Sequence, residues 1–143
     1  TSGTSLVRIL EGAGYRVVHT AALPDEVAQI QEELIRCADE KQVSLVLTTG
    51  GTGFLPRDVT PEATLDVVER LAPGIPEAMR ARSLQVTDRA MLTRAVAGIR
   101  NSTLIINLPG SPKAVRECLE VILPPLEHGI EMLRGKGGEC ART

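Results

Sequence analysis

Four small residues, Gly50-Gly51-Thr52-Gly53, directly follow a run of apolar and β-branched residues. Glycines in such a place let backbone N–H groups approach an anion such as a phosphate, because no side chain keeps the ligand away. The pattern matches neither the P-loop motif nor the glycine spacing of dinucleotide-binding folds. It therefore indicates either a phosphate-binding loop of another kind or a tight turn without a ligand.

Two aspartates lie where they could work with that loop. Asp58 follows the glycines by a few residues, and Asp25 follows an earlier apolar run. Carboxylates beside a phosphate loop are ligands that suit Mg²⁺, which takes oxygen donors and shares them with phosphates. The alternative is structural: Asp25 favours the N-terminus of its helix, and Asp58 braces a turn. Two roles are also open for Arg57, which either clamps an anionic group or pairs with Asp58.

The spacing of apolar residues predicts the elements that must position these side chains. Strands are expected over residues 15–23 and 43–49, joined by a helix that starts at Asp25, and such a unit implies a parallel pair. A hairpin is expected from residues 95–99 and 103–108. Further helices are expected over residues 6–10, from Thr60 to about Leu71, from Pro76 to about Leu84, after Thr87, and from Pro112, where Pro124-Pro125 interrupts the helix before a last one holding Leu126, Ile130 and Leu133.

This alternation predicts an α/β fold, a three-layer sandwich with a mostly parallel central sheet and a short hairpin. Ligands of such folds bind at the carboxyl ends of the parallel strands, where residues 50–53 and 109–111 fall. Folds of this class normally begin with a strand, whereas this chain begins with a helix. The first strand is thus expected to be missing from the given chain. Residues 1–134 are expected to form one domain and residues 135–143 a flexible tail.

Composition excludes several classes of protein. The 143 residues include 16 Lys and Arg against 18 Asp and Glu, a balance that argues against nucleic-acid binding. No apolar run reaches the length of about 20 residues that a membrane span needs, so a cytoplasmic protein is expected. Cys37, Cys118 and Cys140 are too widely spaced to indicate a disulfide framework or a zinc site. His19 and His128 have no partner at ligand spacing, which favours packing or surface roles over catalysis.

Residues 48–64, TTGGTGFLPRDVTPEAT, resemble the signature of the molybdopterin adenylyltransferase family. This family includes bacterial molybdenum-cofactor proteins and the G domains of gephyrin and the plant Cnx proteins. Residues 23–26, 97–100, 103–111 and 123–126 also resemble family segments, in the family's order. The resemblance covers nearly the whole chain, except that the family begins with a strand carrying a Ser-Asp element that this chain lacks.

The resemblance implies a homotrimeric α/β domain that binds Mg-ATP and molybdopterin, transfers AMP to the pterin's terminal phosphate and releases pyrophosphate. A molybdate-inserting enzyme would then be the partner that uses the product. Matching positions make Asp25 and Asp58 the catalytic acids that hold Mg²⁺. The same matching gives nucleotide contacts to Gly50, Gly51, Thr52, Gly53, Leu108, Pro109, Gly110 and Ser111, and places Arg57, Ser83 and Thr93 toward the pterin.

Two other functions remain open at this point. The chain could be a non-catalytic pterin-binding module or trimeric scaffold of the same fold, which keeps the pocket without turnover. It could also be the related domain of nucleotide-pyrophosphatase or nicotinamide-salvage proteins, although that domain is usually joined to another. The presence of both carboxylates and both loops favours the enzyme.

Overall fold

The computed structural model describes residues 2–135, so residues 136–143 of the expected tail lie outside the described part. Within it, no helix is both long enough and apolar enough to cross a membrane. A π-helical turn spans Arg36–Glu40 and a 3-10 turn spans Asp88–Leu92. The helices are α1 Ser2–Gly12, α2 Val27–Ile35, α3 Thr60–Val67, α4 Gly74–Leu84 and α5 Pro112–Leu133, and the strands are β1 Leu45–Thr49, β2 Arg70–Leu71, β3 Ala97–Arg100 and β4 Thr103–Leu108.

The four described strands form one sheet in the order β1-β4-β3-β2. β1 and β4 run parallel, with Leu45 opposite Leu104 and Thr49 opposite Leu108. The expected hairpin is confirmed as β3 and β4, and its turn is closed by Asn101 at φ 53, a conformation that asparagine tolerates. β2 also pairs antiparallel with β3. A parallel pair is therefore present at β1 and β4 instead of between residues 15–23 and 43–49, where it was expected, and the described sheet as a whole is mixed.

The central strand β4 has helices on both of its faces. Ile106 and its alternate neighbours pack into a core with α5, α4 and α1, whereas Ile105 packs with Ile30 and Leu34 of α2 and with α3. All six residues of β4 are buried, which explains their apolar run, because a strand covered on both faces needs no polar side. This arrangement confirms the three-layer α/β fold.

The expected break in the last helix is wrong, because α5 continues through Pro124 and Pro125 to Leu133. Two prolines in a helix interior remove two N–H donors and crowd the preceding turn. Both proline side chains are exposed, while the opposite face of the helix is buried in the core. Burial of that apolar face stabilises the helix by more than the two prolines destabilise it. The buried residues of α5 are Val115, Cys118, Leu119, Ile122 and Leu126.

Two further expectations differ from the structure. Residues 15–23 have no regular secondary structure, and no described strand lies beyond β1 for them to pair with, so this predicted strand is wrong for the described chain. The helix from Thr60 ends at Val67 instead of Leu71. It ends there because the Glu69 and Ala72 N–H groups donate to carbonyls of β3, which draws the backbone into the sheet.

Candidate functional site

The glycine loop, residues 50–53, leaves the carboxyl end of β1 in a conformation that favours glycine. Gly50 has φ 83 and Gly51 has φ 68, both in the left-handed region. A Cβ atom at Gly51 would collide with Thr60 Oγ1, and the Thr60 N–H donates to the Gly51 carbonyl at 3.2 Å. The loop is therefore folded tightly against the start of α3, and a side chain at Gly51 would be strained twice over.

The second loop, residues 108–111, lies against the glycine loop because the parallel strands β1 and β4 end side by side. The Gly50 N–H donates to the Leu108 carbonyl at 3.0 Å, and a Cβ atom at Gly110 would lie 3.5 Å from Gly50 Cα. Ser111 then caps α5, its Oγ accepting from the Ala114 N–H at 3.2 Å. The two loops that the sequence singled out thus form one surface.

This surface is suited to an anion. α3 begins at Thr60 and α5 at Pro112, each within a few residues of one of the loops. The N-terminus of a helix carries partial positive charge from N–H groups that have no partner within the helix. Two such ends next to partly exposed glycine backbone are an arrangement that favours a bound phosphate group.

Asp58 lies beside the glycine loop, as its sequence position suggested. Its Oδ2 atom accepts from the Leu55 N–H at 2.9 Å and would lie 3.0 Å from a Cβ atom at Gly53. The Asp58 N–H in turn donates to the Leu55 carbonyl at 2.9 Å. The side chain therefore braces a turn, as the structural alternative held, and also presents a carboxylate at the loop.

Asp25 is less constrained. It is exposed and precedes α2 by two residues, after a segment that is not a strand. Its carboxylate makes none of the hydrogen bonds or ion pairs found in residues 2–135. The meeting of Asp25 and Asp58 over one metal ion stays a prediction.

The three residues expected on the pterin side lie in different surroundings. Arg57 is exposed and takes part in none of the ion pairs of the described chain, so its pairing with Asp58 is not observed. Ser83 Oγ lies 3.9 Å from the Sγ atom of Cys118. Thr93 is half-buried, with its Oγ1 accepting from the Ala95 N–H at 3.4 Å. Their role toward a pterin also stays a prediction.

Arg94, which no sequence pattern indicated, contacts the glycine loop from a distant segment of the chain. Its Nε donates to the Gly53 carbonyl at 2.7 Å, and its backbone N–H donates to the Thr52 carbonyl at 2.8 Å. The guanidinium also contacts the Asp58 carbonyl and the Glu62 carboxylate. The hydrogen bond from Arg94 holds the pKa of Glu62 below its usual value. The spacing of residues in the sequence did not indicate these contacts, because the glycine loop lies about 40 residues before Arg94.

A buried amide supports the sheet beneath the loops. Asn107 is fully buried in β4, and its Nδ2 donates to Thr48 Oγ1 and Thr64 Oγ1, both at 3.0 Å. Its Oδ1 accepts from the Val96 N–H at 3.1 Å. This network joins β1, α3, β4 and the segment before β3, and an isolated Asn in an otherwise apolar strand was the sequence signal that could have revealed it.

Among residues 2–135, Cys37, Cys118 and the two histidines do not form a nucleophilic centre at the loops. Burial raises the pKa of the Cys118 thiol, consistent with a core residue. His19 corrects an expectation: its Nε2 lies 2.7 Å from Glu33 Oε1, so the structure supplies the partner that sequence spacing did not. His128 is exposed on α5.

Comparison with known proteins gives a consistent result. Residues 1–128 match the sequence family described as "Probable molybdopterin binding domain". A molybdopterin adenylyltransferase of Helicobacter pylori strain J99 is 48% identical over 117 residues, which are 82% of this chain and 66% of that protein. The Escherichia coli K12 protein of the same name is 50% identical over 103 residues, or 72% of this chain and 53% of its own length.

A solved structure agrees with the sequence comparison. The molybdopterin biosynthesis enzyme MoaB of Thermus thermophilus superposes with a TM-score of 0.89 at 45% identity, covering 95% of this chain and 86% of that one. The chain spans between about half and two thirds of the length of the bacterial adenylyltransferases it matches. From the match over most of its residues, this chain belongs to the family of molybdopterin-binding domains found in molybdenum-cofactor biosynthesis proteins.

Proposed function

We propose that this chain works in molybdenum-cofactor biosynthesis by adenylylating molybdopterin with Mg-ATP and releasing pyrophosphate. The observation that carries the proposal is the joined pair of loops at the carboxyl ends of β1 and β4, with the Asp58 carboxylate against the glycine loop. The names of the bacterial relatives, molybdopterin adenylyltransferase, support the same reaction.

In this proposal the glycine loop and the second loop bind the nucleotide. Backbone N–H groups and the N-termini of α3 and α5 face the phosphates, and residues 108–111 contact the adenylate. A terminal phosphate oxygen of the pterin then attacks the α-phosphorus of ATP. The bond to the pyrophosphate oxygen breaks, so AMP is transferred and pyrophosphate leaves. Such a transfer depends on positioning and charge neutralisation more than on a protein nucleophile, and neither histidine is needed.

The donor set fits Mg²⁺. Carboxylate oxygens are hard ligands of the kind that Mg²⁺ takes together with substrate phosphates. Asp58 uses Oδ2 to brace its turn, and no hydrogen bond to its Oδ1 is found in the described residues, so that oxygen is available. Asp25 and Asp58 would hold the ion, which would neutralise charge on the phosphates. The exposed carboxylate of Asp25 is free to join this site.

The pterin side and the assembly belong to the same proposal. Arg57, Ser83 and Thr93 would contact molybdopterin, with Arg57 paired to its phosphate. The chain would act as a homotrimer in the cytoplasm and pass its product to a molybdate-inserting enzyme. Exposed apolar side chains such as Phe54, Leu71 and Met91, which are 69%, 58% and 64% exposed, supply surface that a second copy could cover. Equilibrium sedimentation at micromolar concentration tests the assembly, since a monomer contradicts it.

A non-catalytic pterin-binding domain is the second candidate, because the turn-bracing role of Asp58 would preserve this carboxylate without any turnover. Turnover by the unmodified chain separates the two candidates, and Asp58→Asn then tests the role of this carboxylate. The amide oxygen can still accept from the Leu55 N–H, so the turn and pterin binding should survive, while the metal-binding charge is lost. The enzyme should then lose AMP transfer by at least about a hundredfold. Near-normal transfer in this variant excludes the assigned role.

Asp25→Asn tests whether both acids serve one ion. It should reduce transfer to a similar degree, and the double variant should cost little beyond either single change, because residues that act as a unit are not additive. Full additivity would show that Asp25 and Asp58 act separately. The matched control is Asp66→Asn, an exposed α3 carboxylate whose Oδ2 accepts from Gln31 at 3.1 Å, which should leave AMP transfer unchanged.

A further inference from the structure

Three different metal-binding side chains converge beside α2. One ligand atom from each of His19, Glu33 and Cys37 lies within 4.8 Å of the other two. The His19 to Glu33 distance is 2.7 Å, and the Glu33 to Cys37 distance is 3.8 Å. No other group of three such donors is found in residues 2–135, and none of these residues belongs to the glycine loop or the second loop.

The three residues come from two segments that the fold holds against each other. Glu33 lies on α2 and Cys37 in the π-helical turn that continues it, four residues later and therefore on the same face. His19 reaches them from the irregular segment before α2. The Cys37 residue is 7% exposed, and the side chains of Glu33 and His19 are 15% and 28% exposed. The cluster is thus enclosed on the cysteine side and open to solvent on the histidine side.

From this geometry we infer that His19, Glu33 and Cys37 bind one zinc-type divalent ion, with solvent in the fourth position. Tetrahedral zinc has ligand bonds of about 2.0 to 2.3 Å, which separates neighbouring donors by about 3.3 to 3.6 Å. Each of the three donor pairs lies within about 1.2 Å of that spacing, so small side-chain rotations suffice. Imidazole nitrogen, carboxylate oxygen and thiolate sulfur together select zinc or cobalt over magnesium or calcium.

On binding, the three ligands together carry the two negative charges that match the ion, while the positive charge of Arg36 stays outside this balance. The thiol of Cys37 releases its proton to solvent to become a ligand, and His19 binds through Nε2 with its proton on Nδ1. Thiolate and carboxylate then neutralise the two charges of the ion. Arg36 pairs with the other oxygen of Glu33 at 2.6 Å, so it orients the carboxylate from outside the site.

This site would tie the irregular segment before α2 to that helix, where the hydrogen bond of His19 to Glu33 now makes the link. Sequence spacing could not reveal it, because His19 stands 14 residues before Glu33 and belongs to no regular element. The inference does not depend on the proposed adenylyl transfer, and it concerns a different ion at a different place.

Cobalt(II) is the direct probe, because a thiolate ligand gives cobalt an intense charge-transfer band in the near ultraviolet. The full chain, freed of metal by a chelator, is titrated with Co²⁺ and then with Zn²⁺. We expect one Co²⁺ per chain, a thiolate band, and its loss when Zn²⁺ displaces the cobalt. Cys37→Ser should abolish the band, while His19→Gln and Glu33→Gln should weaken Co²⁺ affinity at least about tenfold.

Cys118→Ser and Cys140→Ser are the matched controls, and both should keep the band. Circular dichroism tests whether each variant is folded. If Cys37→Ser does not fold, the two glutamine variants still decide, since His19 and Glu33 are partly exposed. The inference is overturned if the parent shows no thiolate band, if the band survives in Cys37→Ser, or if folded His19→Gln and Glu33→Gln both bind Co²⁺ like the parent.

Discussion

Gly51 is the residue whose backbone most clearly requires the absence of a side chain. Its φ of 68 is unfavourable for other residues, and a Cβ atom would collide with Thr60 Oγ1. We expect Gly51→Ala to lower the free energy of unfolding by about 1 kcal/mol or somewhat more. Mg-ATP affinity should fall much further, because contacts between the loop and the anion are lost together.

The control for this variant is Gly129→Ala in α5, where a Cβ atom meets nothing within 4 Å and φ is not positive. It should leave Mg-ATP affinity unchanged and raise stability slightly. Thermal unfolding and calorimetric titration with Mg-ATP measure both effects. If Gly51→Ala binds Mg-ATP like the parent, the loop is only a turn and the nucleotide site lies elsewhere.

Arg94 holds the same loop through hydrogen bonds to backbone carbonyls. It should therefore affect nucleotide binding without contacting the substrates. Lysine keeps the charge but cannot contact Gly53, Asp58 and Glu62 at the same time. Arg94→Lys should therefore weaken Mg-ATP binding about tenfold or more, with a smaller loss of stability. Arg89→Lys, at an exposed position on the 3-10 turn, is the control. Equal Mg-ATP affinities in the two variants would contradict the role given to Arg94.

Among the secondary-structure elements, α5 is destabilised by its two interior prolines. Both have exposed side chains, so replacing Pro124 by alanine removes no core packing and restores a backbone donor. We expect Pro124→Ala to stabilise the fold by about 1 to 3 kcal/mol. Pro112→Ala should bring no such gain, because proline suits the first turn of a helix. Denaturant unfolding compares them, and a destabilised Pro124→Ala would mean that the prolines define a bend the core needs.

β4, α5 and residues 15–23 show where sequence patterns predict the structure and where they fail. The strand over residues 103–108 and its glycine-containing loop were predicted correctly, because a strand buried on both faces is mostly apolar. The break at Pro124-Pro125 was wrong, since local propensity does not register the burial of Ile122 and Leu126 on the opposite face. Residues 15–23 have strand composition without a described strand to pair with, and pairing is a property of the whole sheet.

The candidate site likewise contains residues that the sequence indicated and residues that it did not. Gly50, Gly51 and Asp58 could be found from sequence because they lie close together in one motif, and their loop geometry follows from glycine. Arg94 and the His19 cluster could not, because each depends on side chains that meet only after the chain has folded. The geometry of the loop was therefore predictable, whereas the contacts that hold it in place were not, and the chemical roles of its residues stay predictions.

Across the whole molecule, an ion pair joins the π-helical turn after α2 to the hairpin. Arg100 donates to Asp39 through Nε and Nη2 at 3.1 and 2.9 Å, and this hydrogen bonding holds the pKa of Asp39 below its ordinary 3.8. A carboxyl with a lowered pKa in the folded state stabilises the fold above its unfolded pKa. That stability is lost as pH falls through the folded value.

Asp39→Asn should therefore have a lower Tm than the parent near neutral pH, and the difference should shrink as pH falls below about 4. Thermal unfolding followed from neutral to acidic pH measures it. Asp66→Asn again serves as the control, because the Asp66 carboxylate accepts from the uncharged amide of Gln31 instead of pairing with a guanidinium. A Tm difference that stays constant across the whole range would show that the charge of Asp39 contributes nothing.

Adenylyl transfer by this chain can be measured through both of its products. Purified protein is titrated with molybdopterin and Mg-ATP while pyrophosphate release and the mass of the pterin product are followed together. We predict one pyrophosphate per adenylylated pterin, with neither product formed when Mg²⁺, ATP or pterin is left out. Tight pterin binding with no pyrophosphate release, or release that does not require the pterin, would contradict the proposed reaction.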